Sequence, residues 1–149
     1  MSKQRAWRWG NLPIPEPHTA GLVVSLILER IWPRPLGARP ATRAGGAVLL
    51  IGGAALVAWA TASAASSDLE RPGRLITEGA YAYSRNPMYV GWTLMYLGTG
   101  ALGGSAWPVI LLPGVAVAMD RAVRLEEQRL AARFGADFEA YAARVHRYI

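Results

Sequence analysis

Charged side chains are absent from two long stretches of this chain. Residues 44–67 contain none, and neither do residues 86–119. A helix needs about 20 residues to cross the hydrocarbon core of a bilayer. The first stretch therefore predicts one membrane span, whereas the second is too long for a single span and slightly short for two.

Turn-forming residues divide the second stretch into a hairpin of two helices. Residues 103–105, which read Gly-Gly-Ser, and the nearby Pro108 supply the break. The first helix of the hairpin is expected to begin at Asn86 and Pro87. Asparagine is a favourable helix cap, and proline suits the first helical position because its missing N–H has no partner there.

A weaker apolar segment, residues 18–32, precedes both stretches. The prolines at positions 33 and 35 end it, because proline inside a helix removes a hydrogen bond that lipid cannot replace. Residues 6–17 contain two tryptophans and three prolines, so we expect an interfacial lead-in rather than a cleaved signal peptide.

The last segment, residues 126–149, has the pattern of an amphipathic tail. Apolar side chains recur there at spacings of three and four, as expected for one face of a helix: Leu130, Phe134, Phe138, Tyr141, Val145 and Tyr148. Four arginines fall outside that stripe: Arg129, Arg133, Arg144 and Arg147. We expect Gly135 to end one helix and Asp137 to cap the next.

These patterns together predict an all-α integral membrane protein that forms a single membrane domain over residues 1–149. It has about four transmembrane helices, a helical hairpin near the C-terminus and a cytosolic amphipathic C-terminal helix. The predicted spans are residues 18–32, 45–66, 87–102 and 107–125, and the tail is residues 126–149. Within the second span, a stripe of small residues is expected to contact another helix: Ala54, Ala58 and Ala62.

The charge distribution sets the expected orientation. The chain has 16 Lys and Arg against 10 Asp and Glu, a formal net charge of +6. Most basic residues fall at the ends of apolar segments, on the side that holds both termini and the loop 81–87, so we expect that side to be cytosolic. No basic stripe carries interleaved aromatic rings, which argues against nucleic-acid binding. The composition is compatible with a bacterial inner-membrane protein.

Candidate chemistry lies on this expected cytosolic face. It offers the cation Arg85, the adjacent carboxylates Glu126 and Glu127, and a dense group of rings near the start of the third span. Such a set suits a zwitterion with an additional positive charge, because a guanidinium binds a carboxylate, a glutamate binds an ammonium and a ring face attracts a cation. On a helix, Asp120 and Arg124 share a face with Glu127, so they can satisfy one another or a ligand.

Other reaction classes lack their residues in this sequence. There is no cysteine, and no sequence pattern of a metal site, a serine hydrolase or a phosphate-binding loop occurs. We therefore predict no metal. The two histidines, His18 and His146, are interpreted as interfacial residues rather than ligands.

Four segments, in this order and spacing, resemble one known family. They are residues 75–91 (LITEGAYAYSRNPMYVG), 126–130 (EEQRL), 134–141 (FGADFEAY) and 144–147 (RVHR). Together they are similar to the isoprenylcysteine carboxyl methyltransferase and phospholipid methyltransferase group, over about residues 45–149.

The resemblance implies an integral membrane enzyme that binds S-adenosylmethionine on its cytosolic side. Carried over by position, the cofactor-binding residues are Tyr81, Arg85, Asn86, Tyr89, Gly91, Glu126 and Glu127. The resemblance also points to Arg85, Asn86 and Glu127 as catalytic residues. Many members have histidine where this chain has Asn86, which excludes a role that needs an imidazole base at this position.

The expected function is methyl transfer from S-adenosylmethionine to a membrane-embedded, lipid-like acceptor. The acceptor is either the carboxylate of an isoprenoid or prenylcysteine-type compound or the amine of a phospholipid, and the oligomeric state is not determined by the sequence. Two other classes stay open. One is a membrane reductase of sterol-reductase-like architecture that uses a nicotinamide cofactor, and the other is a non-catalytic membrane module that binds lipid.

Overall fold

The computed structural model describes residues 15–37, 39–64 and 73–149. Five α-helices follow one another along the chain: α1 (Glu16–Ile31), α2 (Pro40–Ala64), α3 (Pro87–Gly103), α4 (Trp107–Phe134) and α5 (Ala136–Arg144). A short 3₁₀ turn, Gly79–Ala82, precedes α3. The described residues form no strand, and their only β-type pairing is an isolated bridge between Pro35 and Ser105. The prediction of an all-helical protein is confirmed, whereas the expected lead-in lies mostly outside the described residues.

That isolated bridge joins the two connections at one end of the helices. The backbone N–H of Leu36, between α1 and α2, donates to the carbonyl of Gly104 at 2.7 Å, and the N–H of Ala106 donates to Arg34 at 2.8 Å. The α1–α2 connection therefore lies beside the α3–α4 turn. The start of α3 and the residues after α5 meet at the opposite end, where the Arg85 N–H donates to the carbonyl of His146 at 2.9 Å. We call this the site end.

Glycines, rather than the predicted alanines, bring α2 and α3 together. A Cβ atom placed on Gly53 would lie 2.5 Å from the Gly91 carbonyl oxygen, and one placed on Gly46 would lie 2.8 Å from a backbone nitrogen of α3. Such distances leave no room for a methyl group between the two backbones. The stripe of small residues expected to contact another helix is exposed instead: Ala54, Ala58 and Ala62. Glycine allows the closest approach of two helices because it has no side chain.

The lengths of the helices decide which of them can span a bilayer unaided. Among the described residues, only α2 is both long enough and apolar enough to cross a membrane. The helices α1 and α3 have 16 and 17 residues, and at 1.5 Å per residue each is a few ångströms shorter than a hydrocarbon core of about 30 Å. The helix α4 has 28 residues but carries charges through its second half. The four predicted spans therefore stay a prediction.

The junction between α4 and α5 differs in detail from the expectation. The helix α4 continues to Phe134, so Glu126 and Glu127 lie inside it rather than at the start of a separate tail. Gly135 ends α4 with φ at 51°, as predicted from the sequence. Asp137, however, lies in the first turn of α5 and makes no capping hydrogen bond, because Gly135 itself occupies the capping position.

Candidate functional site

A pocket opens at the site end between the loop 74–86, the second half of α4 and α5. It contains about 560 Å³ of open space, part of which is continuous with solvent. Five of the residues predicted for the cofactor line it: Tyr81, Arg85, Asn86, Glu126 and Glu127. The remaining lining residues are Arg74 and a mainly apolar group, Leu75, Ile76, Leu130, Phe138 and Tyr141. The structure thus brings together two segments that are about 40 positions apart in the sequence.

Opposite charges from the loop and from α4 face each other in this pocket. The Nε atom of Arg85 lies 3.4 Å from Oε1 of Glu127, and the two side chains are only 14% and 12% exposed. Neither atom forms a hydrogen bond within the described part of the chain. A buried donor and a buried acceptor that lack hydrogen bonds are costly, so this ion pair is suited to a ligand that supplies a polar group to each atom.

Arg147 is a site residue that sequence reasoning missed. Its Nη2 and Nε donate to Oε2 of Glu127 at 2.8 and 3.0 Å, and its Nη1 lies 3.7 Å from Asp120. The hydrogen bond with Glu127 is the main cause that raises the pKa of Arg147. Because Arg147 falls outside the apolar stripe, the helical pattern placed it on an exposed face. The indication available in the sequence was that Arg147 lies in the segment 144–147, which carries part of the family resemblance.

The C-terminal residues hold the loop that precedes α3. The side-chain amide of Asn86 donates to the carbonyl oxygen of Arg147 at 3.1 Å, and the Ser84 hydroxyl lies 3.4 Å from the same oxygen. Asn86 occupies the capping position of α3, as predicted, but its side chain forms no capping hydrogen bond. The predicted capping hydrogen bond is therefore wrong, because the Asn86 side chain binds the backbone carbonyl of Arg147 instead.

A second cluster of charges lies on the same face of α4. Asp120 pairs with Arg124 one turn away and accepts a hydrogen bond from the Tyr148 hydroxyl at 2.9 Å. Burial and this hydrogen bond raise the pKa of Tyr148 to about 12. The prediction that Asp120, Arg124 and Glu127 share one face of α4 is confirmed. Arg147 contacts both carboxylates of this face, those of Asp120 and Glu127.

Two tyrosines of the pocket hold each other and remain uncharged. The Tyr141 hydroxyl donates to the backbone carbonyl of Tyr81 at 2.7 Å. Burial raises the pKa of Tyr141 to about 12, and burial together with the charge of Glu126 raises the pKa of Tyr81. Both phenols therefore stay protonated at neutral pH and present neutral rings. Tyr83, by contrast, is 75% exposed and packs on Trp59 outside the pocket.

Glu126 is the less compensated of the two adjacent carboxylates. The residue is exposed overall, yet partial burial of its carboxyl group and the negative charge of Glu127 raise its pKa above the usual range. Arg129 opposes this shift only in part. Glu127 already binds Arg147, so Glu126 is the carboxylate better able to accept a cationic ligand group or a proton.

Two predicted cofactor residues do not line this pocket. Gly91 packs against Gly53 and Val57 of α2, which gives it a role in helix packing. Tyr89 lies in the first turn of α3, close enough to Glu126 of α4 and Glu16 of α1 to interact electrostatically with both. The structure thus places Tyr89 beside the pocket rather than in its wall.

Comparison with known families adds a second line of evidence to this geometry. The sequence model described as phospholipid methyltransferase matches residues 41–137, which is more than half of the 149-residue chain. The chain belongs to the phospholipid methyltransferase family. Membership confirms the resemblance stated from the sequence and supports transfer of a methyl group to a lipid-like substrate. The comparisons with curated proteins and with solved structures gave no match.

The match to the phospholipid methyltransferase family covers only part of the pocket. It includes the loop residue Arg85 and the α4 residues Glu126 and Glu127, but it ends at residue 137. Tyr141 and Arg147, which hold the loop and Glu127 in place, lie beyond that limit. Their contribution to the site follows from the contacts they make in the structure.

Proposed function

We propose that this member of the phospholipid methyltransferase family binds S-adenosylmethionine in the site-end pocket and methylates a membrane-embedded, lipid-like acceptor. The observation that carries the proposal is the buried pair of Arg85 Nε and Glu127 Oε1. They face each other at 3.4 Å in the pocket without hydrogen bonds to the described residues. A ligand that carries both an anionic and a cationic group complements this arrangement.

The chemistry of the pocket fits S-adenosylmethionine, because charged side chains and neutral aromatic rings line one open space. When bound, the cofactor supplies an electrophilic methyl group on a sulfonium, and it also carries a carboxylate and an ammonium group. The guanidinium of Arg85 is the group suited to the carboxylate, because charge-assisted hydrogen bonds between these groups are strong.

The two glutamates have different roles in this proposal. Glu127 pairs with Arg85 through Oε1 and with Arg147 through Oε2, and so positions both guanidinium groups at the site end. Glu126 lines the same pocket and forms no ion pair with the described residues, so it is suited to the ammonium group. The neutral rings of Tyr81 and Tyr141 are suited to a sulfonium, since an aromatic face attracts a cation.

The chemical nature of the acceptor determines whether the protein must remove a proton from it. A carboxylate acceptor is ionised at neutral pH and needs only to be aligned in a site that excludes water. An amine acceptor must lose a proton. Glu126, whose pKa is raised by burial, is suited to receive that proton only when it is not paired with the ammonium group of the cofactor. The side chain of Asn86 is engaged with residue 147, which supports a positioning role rather than an acid or base role.

The proposal also includes the membrane arrangement expected from the sequence. Four spans with the site end on the cytosolic side would place the pocket beside the lipid headgroups of a bacterial inner membrane. The alternating direction of α1 to α4 supports this arrangement, because the two interhelical connections joined by the bridge of Pro35 and Ser105 lie at the opposite end.

Binding of S-adenosylmethionine labelled in its methyl group tests the cofactor assignment. In detergent, we expect Arg85→Ala and Glu127→Ala each to weaken binding by at least about tenfold, because each removes a charge-assisted contact worth roughly 1.5–3 kcal/mol. Arg144→Ala and Glu139→Gln are matched controls, since both residues are exposed on α5 outside the pocket. These controls should bind the cofactor like the unmodified protein.

Unchanged binding in both pocket variants would remove the site assignment. Binding of a nicotinamide cofactor in place of S-adenosylmethionine would favour the reductase alternative. Incubation of the unmodified protein with the labelled cofactor and a total lipid extract then identifies the acceptor. A labelled ester would show a carboxylate acceptor, and a labelled headgroup amine would show a phospholipid acceptor.

A further inference from the structure

The five C-terminal residues, 145–149, form a short non-helical segment after α5, which we call the C-terminal strap. The carbonyl of His146 in the strap accepts a hydrogen bond from the backbone N–H of Arg85 at 2.9 Å. The Tyr148 hydroxyl donates to Asp120 of α4 at 2.9 Å. The strap is thus bonded to the loop and to α4, the two parts of the chain that supply the opposite charges of the pocket.

Arg147 is the strap residue that contacts both of these parts. Its backbone carbonyl oxygen accepts a hydrogen bond from the Asn86 side chain at 3.1 Å and lies 3.4 Å from the Ser84 hydroxyl. Its guanidinium donates to Oε2 of Glu127 at 2.8 and 3.0 Å. One residue therefore joins the loop that carries Arg85 to the helix that carries Glu127.

The side-chain contact determines the orientation of the Glu127 carboxylate. Two N–H groups of Arg147 converge on Oε2, and charge-assisted hydrogen bonds of this kind are strong. The side chains are 12% exposed for Glu127 and 27% exposed for Arg147, so salt screens the pair less than a surface pair. The two carboxylate oxygens are joined rigidly through one carbon atom. Holding Oε2 therefore fixes the direction of Oε1, which lies 3.4 Å from Nε of Arg85.

Asp120 restricts the Arg147 side chain further. Its Oδ1 atom lies 3.7 Å from Nη1 of Arg147 and also accepts the hydrogen bond from Tyr148. Asp120 and Glu127 are seven residues apart on α4, about 10 Å along the helix at 1.5 Å per residue, and they share one face. All three nitrogens of the Arg147 guanidinium thus lie near carboxylates of α4, which holds the side chain in one orientation.

Neither histidine supplies its imidazole ring to these strap contacts. The His146 side chain is exposed, and the residue contributes its backbone carbonyl. His18 is only 3% exposed, and its Nε2 lies 2.9 Å from the Thr93 hydroxyl of α3. The sequence interpretation of His18 as an interfacial residue is therefore wrong, because α3 covers it. The strap acts on the site through Arg147 and through backbone carbonyls.

Arg147 itself does not line the pocket, so its effect on a ligand is exerted through its two partners. We propose that Arg147 is a positioning residue of the cofactor site. Its side chain orients Glu127 and its carbonyl places the loop, and together they set the separation of the Arg85 and Glu127 charges. This role rests on the proposed binding of S-adenosylmethionine, and it assigns a function to a segment beyond residue 137, where the family match ends.

Combined substitutions test this role through binding of methyl-labelled S-adenosylmethionine in detergent. Arg147→Ala should weaken binding about tenfold, the scale expected when a charge-assisted hydrogen bond no longer holds Glu127. Added to Glu127→Ala, it should cause almost no further loss, because the group on which it acts is then absent. Added to Asn86→Ala, which removes a contact with the carbonyl of residue 147, it should multiply the loss, because the two contacts are separate.

Two further variants distinguish positioning from a general loss of positive charge. Arg147→Lys keeps the charge and the backbone carbonyl but not the fork of N–H groups, so it should recover part of the binding that Arg147→Ala loses. Arg144→Ala is the matched control, because Arg144 is exposed on α5, and it should bind like the unmodified protein. Thermal unfolding of each variant sets an assay temperature at which it is folded, and the combination with Glu127→Ala is repeated with Arg147→Lys.

A folded Arg147→Ala protein that binds the cofactor normally would overturn this inference. A combined loss of about a hundredfold in Arg147→Ala with Glu127→Ala would overturn it as well, because Arg147 would then act independently of Glu127. In both cases, weakened binding by Arg85→Ala would leave the proposed cofactor site standing. If the unmodified protein does not bind S-adenosylmethionine, the proposed function itself is rejected.

Discussion

The contact between α2 and α3 and the pocket at the site end both bring distant parts of the chain close together, but with opposite results. Between α2 and α3, glycines bring the backbones so near that a single added methyl group would collide with a carbonyl oxygen. In the pocket, charged side chains surround about 560 Å³ of open space. They come from the loop, from α4 and from the C-terminal residues. The first region leaves no space for a ligand, whereas the second leaves space and unpaired polar atoms.

This difference separates the effects expected from substitution. Changes at the glycine contact should damage the fold and reduce binding only as a consequence. Changes in the pocket should alter ligand binding more than stability, because its charged groups face open space rather than closely packed backbone. Three substitutions, taken from the largest expected effect on stability to the smallest, test that separation.

Gly53→Val should have the largest effect, because the added side chain meets the Gly91 carbonyl and the α3 backbone. Overpacking against backbone that cannot move is expected to cost about 3 kcal/mol, the upper end of the usual range. The measurement is thermal unfolding of the purified protein in detergent. Gly52→Ala is the matched control, since a Cβ on Gly52 meets nothing within 4 Å, and it should be neutral or slightly stabilising. Normal stability of Gly53→Val would contradict the close contact.

Asn86→Ala should have an intermediate effect, because Asn86 connects the loop to the C-terminal residues through its bond to the Arg147 carbonyl. Loss of one buried hydrogen bond of this kind costs about 1 kcal/mol. We also expect weaker binding of S-adenosylmethionine, since Arg147 holds Glu127. Thermal unfolding and labelled-cofactor binding are measured on the same sample. A variant with full stability and full binding would show that the connection does not position the site.

Glu126→Gln should have the smallest effect on stability and a clear effect on binding. Burial and the charge of Glu127 raise the pKa of Glu126 in the folded protein. The favourable contribution of the protonated form is complete at acidic pH and is lost as the pH rises through the raised pKa. At neutral pH the substitution should therefore stabilise slightly, by less than about 1 kcal/mol because solvent screens an exposed group.

The pH dependence of binding sharpens this third prediction. Cofactor affinity of the unmodified protein should fall as the pH drops and Glu126 becomes protonated, whereas Glu126→Gln should bind weakly and lose most of this dependence. Both proteins are titrated with labelled S-adenosylmethionine over acidic to neutral pH. Identical pH profiles would argue that Glu126 does not contact a cationic part of the ligand.

The sequence predicted the helices well where local residues decide them. Prolines and glycines mark the start of α3, the turn before α4 and the end of α4 at Gly135, and each of these boundaries is found in the structure. The segments 75–91 and 126–130 also predicted that Arg85 and Glu127 lie in one pocket, and both residues line the pocket at the site end. Charge and the family pattern could indicate this proximity without detailed knowledge of packing.

The missed features all depend on contacts between distant parts of the chain. The inward position of Arg147, the use of the Asn86 side chain and the burial of His18 involve partners that are 20, 61 and 75 positions away. The exposed alanine stripe is a similar case, because alanine and glycine both satisfy a small-residue pattern and only the rotation of α2 against α3 selects between them.

The sequence by itself determined where helices begin and end and which charged segments carry the family's chemistry. Helical periodicity, capping and chain breaking act over about four residues, so they can be read locally. Only the tertiary structure decided which face of each helix packs and which polar groups are left unpaired. Those outcomes depend on the space remaining after all the helices have packed together, which no local pattern specifies.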